Sequence, residues 1–410
     1  MASLVLFDDR ERARDARLSP LTDLRASFDV RTGALTTLER ASRMFGAPAG
    51  VLVPVALEGV TRERHGGIVN RVDGEGPVLL LNGRCVLPPA EASGLAVGES
   101  LVEAASGEVV AARLSAAAAR EFAAGGGLPG RARELAGRRL IARAWHVKAM
   151  RDAALTADLS LLAGGPTTYP AGQGAPVPGS AVVFGVHGLT MAAGARVCPG
   201  ATLDLEGGAI VLAPGSTVRP GAIVQGPAYV GERATVVERA IVKAQTAIGP
   251  WCKVGGEVGG TIFQGFANKA HDGHLGDSWI GEWVNLGAGT TNSNLLNTYG
   301  QVAARATPGG AMERTGEQFL GCVLGDHVKT AIGTRIMTGA IVGTGAMWAA
   351  TAPVSGCVAA FAWATDAGVR AFRLDKFLEV ARAAMARRGR EPSAAEIALL
   401  GALHGASGSA

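Results

Sequence analysis

Residues 218–258 read VRPGAIVQGPAYVGERATVVERAIVKAQTAIGPWCKVGGEV. Val218, Val224, Val230, Val236, Val242, Ile248 and Val254 stand six apart without a break. Four residues after each comes a small or short side chain: Ala222, Ala228, Ala234, Ala240, Thr246, Cys252 and Val258. Neither an α-helix nor a pleated strand repeats at six. A parallel β-helix does, because each hexad makes one flat wall and one corner of a stacked coil, and three hexads close a triangular turn. The aliphatic anchor points inward onto its copies in adjacent coils, the small residue fits where the chain bends, and glycine supplies the corner dihedrals. An ordinary sandwich of short strands has no reason to keep so uniform a spacing.

The register resumes at Ile280 and Leu286, and again at Leu324, Ile336, Val342 and Trp348. The gaps are not multiples of six, which predicts loops or bulges near 259–279 and 292–320, the places in a repeat scaffold where chemistry is usually carried. Composition agrees with such a scaffold. The chain has 410 residues and 59 glycines, roughly twice ordinary usage, yet is 48% apolar and 18% charged with 5% aromatics. Disorder is excluded, and small aliphatic side chains must fill the interior. Net charge is only +4, without a basic block interleaved with aromatics, so nucleic acid is not an expected partner. The five cysteines lie far apart with no CxxC pair, which argues against a zinc ribbon or disulfide framework and fits a reducing cytoplasm. Met1 to Asp8 lacks a basic leader and no run of about 18 apolar residues follows, so the chain reads as unexported and free of the membrane.

Outward from the repeat, residues 1–165 read as an α/β domain. Strands are expected at Leu4–Phe7, Val51–Val55 and Val78–Leu81, and helices over about 32–45 and 128–158. The Gly, Pro, Thr and Ala-rich stretch 166–180 reads as a linker, 181–365 as the β-helix, and 366–410 as helices that cap the prism end or pack on a neighbouring subunit.

The densest polar text is Asn268-Lys269-Ala270-His271-Asp272-Gly273-His274-Leu275-Gly276-Asp277, followed by Val284-Asn285-Leu286-Gly287-Ala288-Gly289-Thr290-Thr291-Asn292-Ser293-Asn294. It resembles the acetyltransferase half of the bifunctional N-acetylglucosamine-1-phosphate uridylyltransferase/glucosamine-1-phosphate acetyltransferases. The whole chain, including Leu6-Phe7-Asp8-Asp9, resembles a group of sugar nucleotidyltransferases related to them, with high specificity over 218–345 and less over 1–165. The resemblance implies a Rossmann-like nucleotidyltransferase domain, a left-handed parallel β-helix that forms a homotrimer, and acetyl-CoA as acyl donor to an amino-sugar phosphate or nucleotide sugar. It makes His271 the general base and places Asn285 with it in the catalytic site. It puts Lys243, Lys269, His274 and Asn294 at the sugar and Ala288 beside the coenzyme. His274 replaces a sugar-contacting tyrosine, and Gly259 to Thr261 stand where the family has a lysine pair. Lys329 and Arg335 are candidates for the coenzyme's phosphates on charge alone.

The chemistry is coherent: transfer from a thioester to an amine needs the amine neutral, an imidazole can remove that proton, and N–H groups of the Gly-Ala-Gly coil could hold the oxyanion. A zinc site from His271, Asp272, His274 and Asp277 is the competing reading of the same residues, although their spacing does not match the zinc-bearing β-helix enzymes.

In the first domain, Arg17-Leu18-Ser19-Pro20-Leu21-Thr22 resembles the tail of a nucleotide-binding phosphate loop, with Arg17, Thr22 and Arg25 as candidate contacts. The upstream glycines of that loop are absent. Arg84, in Asn82-Gly83-Arg84, occupies the position of the family's Mg²⁺-binding aspartate and inverts the local charge. The expectation is therefore an acyltransferase with a nucleotidyltransferase-like domain of doubtful activity. Its alternatives are nucleotidyl transfer as the principal activity, using Mg²⁺, or a non-catalytic trimeric scaffold that binds nucleotide sugars.

Overall fold

A computed structural model describes residues 2–128, 130–164 and 167–407. The chain opens with β1 (Ser3–Phe7), α1 (Thr37–Phe45), β2 (Pro48–Leu52), α2 (Glu58–His65), β3 (Val78–Asn82), β4 (Glu99–Glu103), β5 (Val109–Leu114), α3 (Ala116–Ala123), β6 (Arg131–Leu135) and α4 (His146–Leu162). Their six strands form one sheet in the order β2-β1-β3-β5-β4-β6. Strands β1 and β3 are buried on both faces: Leu4, Leu6, Leu79 and Leu81 enter one apolar layer and Val5, Phe7, Val78 and Leu80 the other. A capping box of Thr36 and Glu39 starts α1.

Two expectations shift. The strand expected over 51–55 begins earlier, at Pro48, and the expected helix over 128–158 is a strand followed by a helix starting at His146. Glycine explains the second change. Gly130 and Gly137 hold φ of 108° and 76°, and a Cβ on Gly130 would stand 1.7 Å from the Gly98 carbonyl. Arg131 instead donates its N–H to that carbonyl and begins a strand.

From Val182 to Thr365 the chain winds a three-walled parallel β-solenoid. All seven anchors from Val218 to Val254 are 0% exposed, and the inner column runs on through Phe263, Leu275, Ile280, Leu286, Leu324, Ile336 and Val342. The first wall, which faces the N-terminal domain, is a ten-stranded sheet that includes 189–191, 262–263, 279–280 and 340–342. Its outward side chains Val211, Ile262, Trp279, Val323 and Ile341 share an apolar cluster with Trp145, Leu155 and Leu159. The second wall, here the open wall, carries 223–225, 241–242, 257–259 and 274–276; the third carries 235–236, 253–254, 268–269 and 329–330.

The stretch 259–279 does not leave the prism. Val236 pairs with Val254, but Val254 pairs with Lys269, so that coil is three residues shorter while every wall stays paired. Polar residues stand at inward positions there: Lys269, Asn292 and Thr330 replace aliphatic anchors. The second interruption is a true excursion, since Ile280 pairs with Leu324. It carries a hairpin of 303–305 with 312–314 that folds back on the first domain, with Arg143 on Glu313 at 2.7 Å and Lys148 on Glu317.

Corners do not depend on glycine alone. Arg233, Arg239, Gln245 and Trp251 each adopt φ between 52° and 60°. At the corner joining the first and third walls, Trp251, Phe266, Trp283 and His327 stack on successive coils, with Phe266 and Trp283 4.4 Å apart. This aromatic strip redirects the C-terminal helices. Helix α5 (Leu374–Ala386) sets Phe377 against His327 and Phe361 at that corner, and α6 (Ala394–Ser407) continues to α2, where Ser393 bonds Glu63. They lie along a corner rather than across the prism end. The supposed linker is also structured: β7 (Thr168–Tyr169) pairs with 189–190, and Tyr169, Ala175 and Val177 cover the first coil, shielding an otherwise open strand edge.

Candidate active site

His271 stands exposed at the corner where the third wall turns into the open wall. Lys269 is 1% exposed. Its ammonium donates to the carbonyls of His271 at 2.5 Å, Asp272 at 3.1 Å and Gly255 at 3.2 Å, and burial pushes it down to about 8. The lysine expected at the sugar is therefore a clamp inside the corner that bears the imidazole. Ala288 is exposed on the next coil of the same corner, where the Gly289 N–H donates to the Asp272 carbonyl at 3.1 Å. The Gly287 N–H is taken by Thr330. Of the Gly-Ala-Gly amides, that of Ala288 is the one not engaged within the stack, narrower than the expected trio.

On the open wall, Lys243 Nζ reaches Glu257 at 2.5 Å and holds this carboxylate below its usual range, and His274 Nδ1 lies 3.3 Å from the same carboxylate. Glycines make the floor. A Cβ at Gly259 would meet the Lys243 stem at 3.1 Å, and one at Gly276 would meet His274 Nε2 at 2.6 Å and Asn294 Nδ2 at 2.8 Å. Asn294 donates to Asp277 at 2.8 Å, whose other oxygen takes Arg151 of α4 at 2.7 Å. Lys243, His274 and Asn294 thus share one groove. Glu257, Asp277 and Arg151, which sequence reasoning missed, knit it together. The outward strand position of Glu257 was the available signal; nothing in the local text announces Arg151.

Asn285 lies on the third wall, in a column Asn268, Asn285, Lys329, with its Oδ1 accepting from Asn268 Nδ2 at 2.9 Å. The three line a cleft between this wall and α5. Arg335 is exposed on the open wall and donates to the Thr351 carbonyl at 2.9 Å, so the two cations expected at one coenzyme point from different walls. Of the residues of the zinc reading, His274 is engaged with Glu257 and Asp277 with Arg151 and Asn294, and among the described residues no three His, Cys, Asp or Glu side chains gather into a metal cluster.

Residues 4–167 match the family model described as sugar nucleotidyl transferase. This match covers the first domain and less than half of the chain. A stretch of 139 residues is 29% identical to the bifunctional protein GlmU of Picosynechococcus sp., covering 30% of this chain and 30% of that protein; the chain thus spans under a third of that relative's length. Among solved structures, a hexapeptide transferase family protein from Anaplasma phagocytophilum aligns with 52% of this chain and 92% of its own at 13% identity and a TM-score of 0.25.

The nucleotidyl transferase domain has an unusual centre. Just past β1, Asp9 receives Arg84 Nε and Nη2, both at 2.6 Å, and Asn82 Nδ2 at 2.7 Å; Arg84 also donates to Glu108 at 2.7 Å. Asp8 is held by Arg10 at 2.7 Å and by the Ser27 N–H at 2.7 Å. Divalent magnesium requires carboxylate oxygens open to it. Here a guanidinium with no solvent exposure occupies their midst, and the residues do not fit the ion. Arg25 is not free for nucleotide either: its buried guanidinium meets Asp326 at 2.7 Å and Glu282 at 3.2 Å, both on the solenoid. Arg17 is exposed beside Asp15, and the Thr22 carbonyl takes Arg10 at 2.7 Å. The three do not converge on a phosphate cradle.

Proposed function

We propose that the protein is an acyltransferase that moves an acetyl group from acetyl-CoA to the amine of an amino-sugar phosphate or nucleotide sugar, with His271 as general base. The observation that carries the reading is the corner built around His271: an exposed imidazole whose main chain is clamped by a buried lysine, next to a free Ala288 N–H and a glycine-floored groove. The thioester supplies the activated acyl group. His271 takes the proton from the attacking amine as the C–N bond forms and returns it to the coenzyme thiolate released when the C–S bond breaks; the Ala288 N–H faces the developing oxyanion, and Lys243, His274 and Asn294 orient the sugar. Asn285 and Lys329 act from the adjoining wall. Because the groove and corner lie open in one chain, a second copy across the corner would complete the site, as expected for a homotrimer. Nucleotidyl transfer is the weaker reading, since Arg84 neutralises the carboxylates that a metal would need.

The test is thiol release from acetyl-CoA with glucosamine 1-phosphate and a panel of other amino-sugar phosphates. The expected result is release with at least one acceptor, falling about 10²- to 10⁴-fold in His271→Ala without a change in melting temperature. Absence of release across the panel, or full activity in His271→Ala, would overturn the reading.

A further inference from the structure

The cleft between the third wall and α5, which Asn285 and Lys329 line, has an imbalance of charge carried further by residues beyond α5 that the acyl-transfer reading does not use. Its volume is about 270 Å³. On the wall side stand Asn268, Asn285 and Lys329, one above another on paired strands. On the helix side α5 presents Ala383 and Ala384, and Arg387 and Arg388 follow its last turn. The alanines matter, because a larger side chain at 383 or 384 would fill the space. Three cations line this cleft and no carboxylate does. Among the described residues neither Arg387 nor Arg388 forms an ion pair, and the Lys329 ammonium has only a long contact of 3.4 Å to the His327 carbonyl. Burial pushes that ammonium down to about 8. A nearby anion would hold it charged. The Asn268 amide is directed at the Asn285 oxygen, which leaves the Asn285 NH₂ as a further donor.

We propose that this cleft is a phosphate site, in which Lys329, Arg387 and Arg388 neutralise a phosphate monoester or diphosphate and the Asn285 amide donates to it. Guanidinium forks suit phosphate oxygens, and lysine adds a point charge. The volume admits a phosphoryl group and part of what carries it, not a whole nucleotide sugar or coenzyme. Two sources share this chemistry, the 3′-phosphate end of a coenzyme and the phosphate of a sugar. The proposal does not rest on acyl transfer, because it is read by binding alone.

Calorimetric titration of the full chain with inorganic pyrophosphate, adenosine 3′,5′-bisphosphate and glucosamine 1-phosphate tests it. At least one ligand is expected to bind, more weakly as salt is raised. Lys329→Ala and, separately, the double variant Arg387→Ala/Arg388→Ala should each weaken binding about tenfold. Arg382→Ala, on the same helix but outside the cleft, should not. The double variant alters exposed or half-buried positions just past the end of α5, so its folding is not at issue. Preference for the bisphosphate assigns the site to the coenzyme, and preference for the sugar phosphate assigns it to the acceptor. Failure of all three to bind, or equal binding by wild type and the double variant, overturns the proposal.

Discussion

Lys269→Met separates the structural from the chemical role of the corner. The side chain points into the solenoid at a position that pairs with the anchor Val254, so methionine fits the space and restores the apolar column. The variant loses three charge-assisted hydrogen bonds, to the carbonyls of Gly255, His271 and Asp272. It also sheds the cost of burying an ammonium. Each bond is worth about 1.5–3 kcal/mol gross, and desolvation of the cation costs several kcal/mol, so near pH 7 the net change should stay within about 2 kcal/mol. The pH dependence is more telling. Lys269 is pushed from its ordinary 10.5 down to about 8 in the folded protein. Between those values the unfolded chain binds more protons than the folded one, so wild-type stability rises with pH through that window. The limit is ~3 kcal/mol, and screening near an exposed corner reduces it to about 1–2 kcal/mol. Urea unfolding of both proteins from pH 7 to 10 should show the wild type gaining that much on the variant. Acetyl transfer by the variant should fall about tenfold in kcat with KM unchanged, because His271 loses its clamp and the groove does not. Parallel stability curves would refute the inward ammonium, and unaltered kcat would refute its positioning of His271.

Arg25→Met removes the cation that joins the nucleotidyl transferase domain to the solenoid. It leaves Glu282 and Asp326 buried near one another, and should cost about 3–5 kcal/mol in urea unfolding. Burial raises both carboxylates and Arg25 draws them down, so without it both titrate at higher pH; the variant then gains more than wild type by protonation, and its deficit should shrink toward pH 4. Arg84→Asp replaces the buried guanidinium with a third carboxylate beside Asp9 and Glu108. It should lower stability by about 3–5 kcal/mol, and millimolar Mg²⁺ should raise the variant's melting temperature while leaving wild type unmoved. A magnesium effect on wild type would contradict the misfit of the ion.

The sequence made the solenoid legible where its physics repeats. An aliphatic anchor every six residues has one explanation, and those anchors are fully buried. The reading lost register where function or packing replaced an anchor with something polar: Lys269, Asn292 and Thr330 lie inside the prism but do not look like core, so a shortened coil was mistaken for an interruption. The path of α5 was hidden for a different reason. Trp251, Phe266, Trp283 and His327 form one aromatic strip only after coils of unequal length bring them together, so no fixed spacing announces it. The charge inversion at Arg84 was readable from one residue, whereas its partner Glu108 and the use of Arg25 as an interdomain tie depend on contacts across 24 and 301 positions.

How the walls are occupied constrains how copies of the chain can meet. The first wall is covered by its own nucleotidyl transferase domain through Trp279, Val323 and Ile341, and the aromatic corner beside it is covered by α5. Neither surface can serve a subunit contact without unfolding part of the chain. The open wall remains, with Val182, Phe184 and Ile241 exposed over its early coils and the Lys243 to His274 groove further along. An apolar stripe next to a polar groove on this wall is a surface that no other described element of the chain covers. By masking the first wall of a three-walled prism, the N-terminal domain leaves the corner of His271 between the two walls that it does not bury.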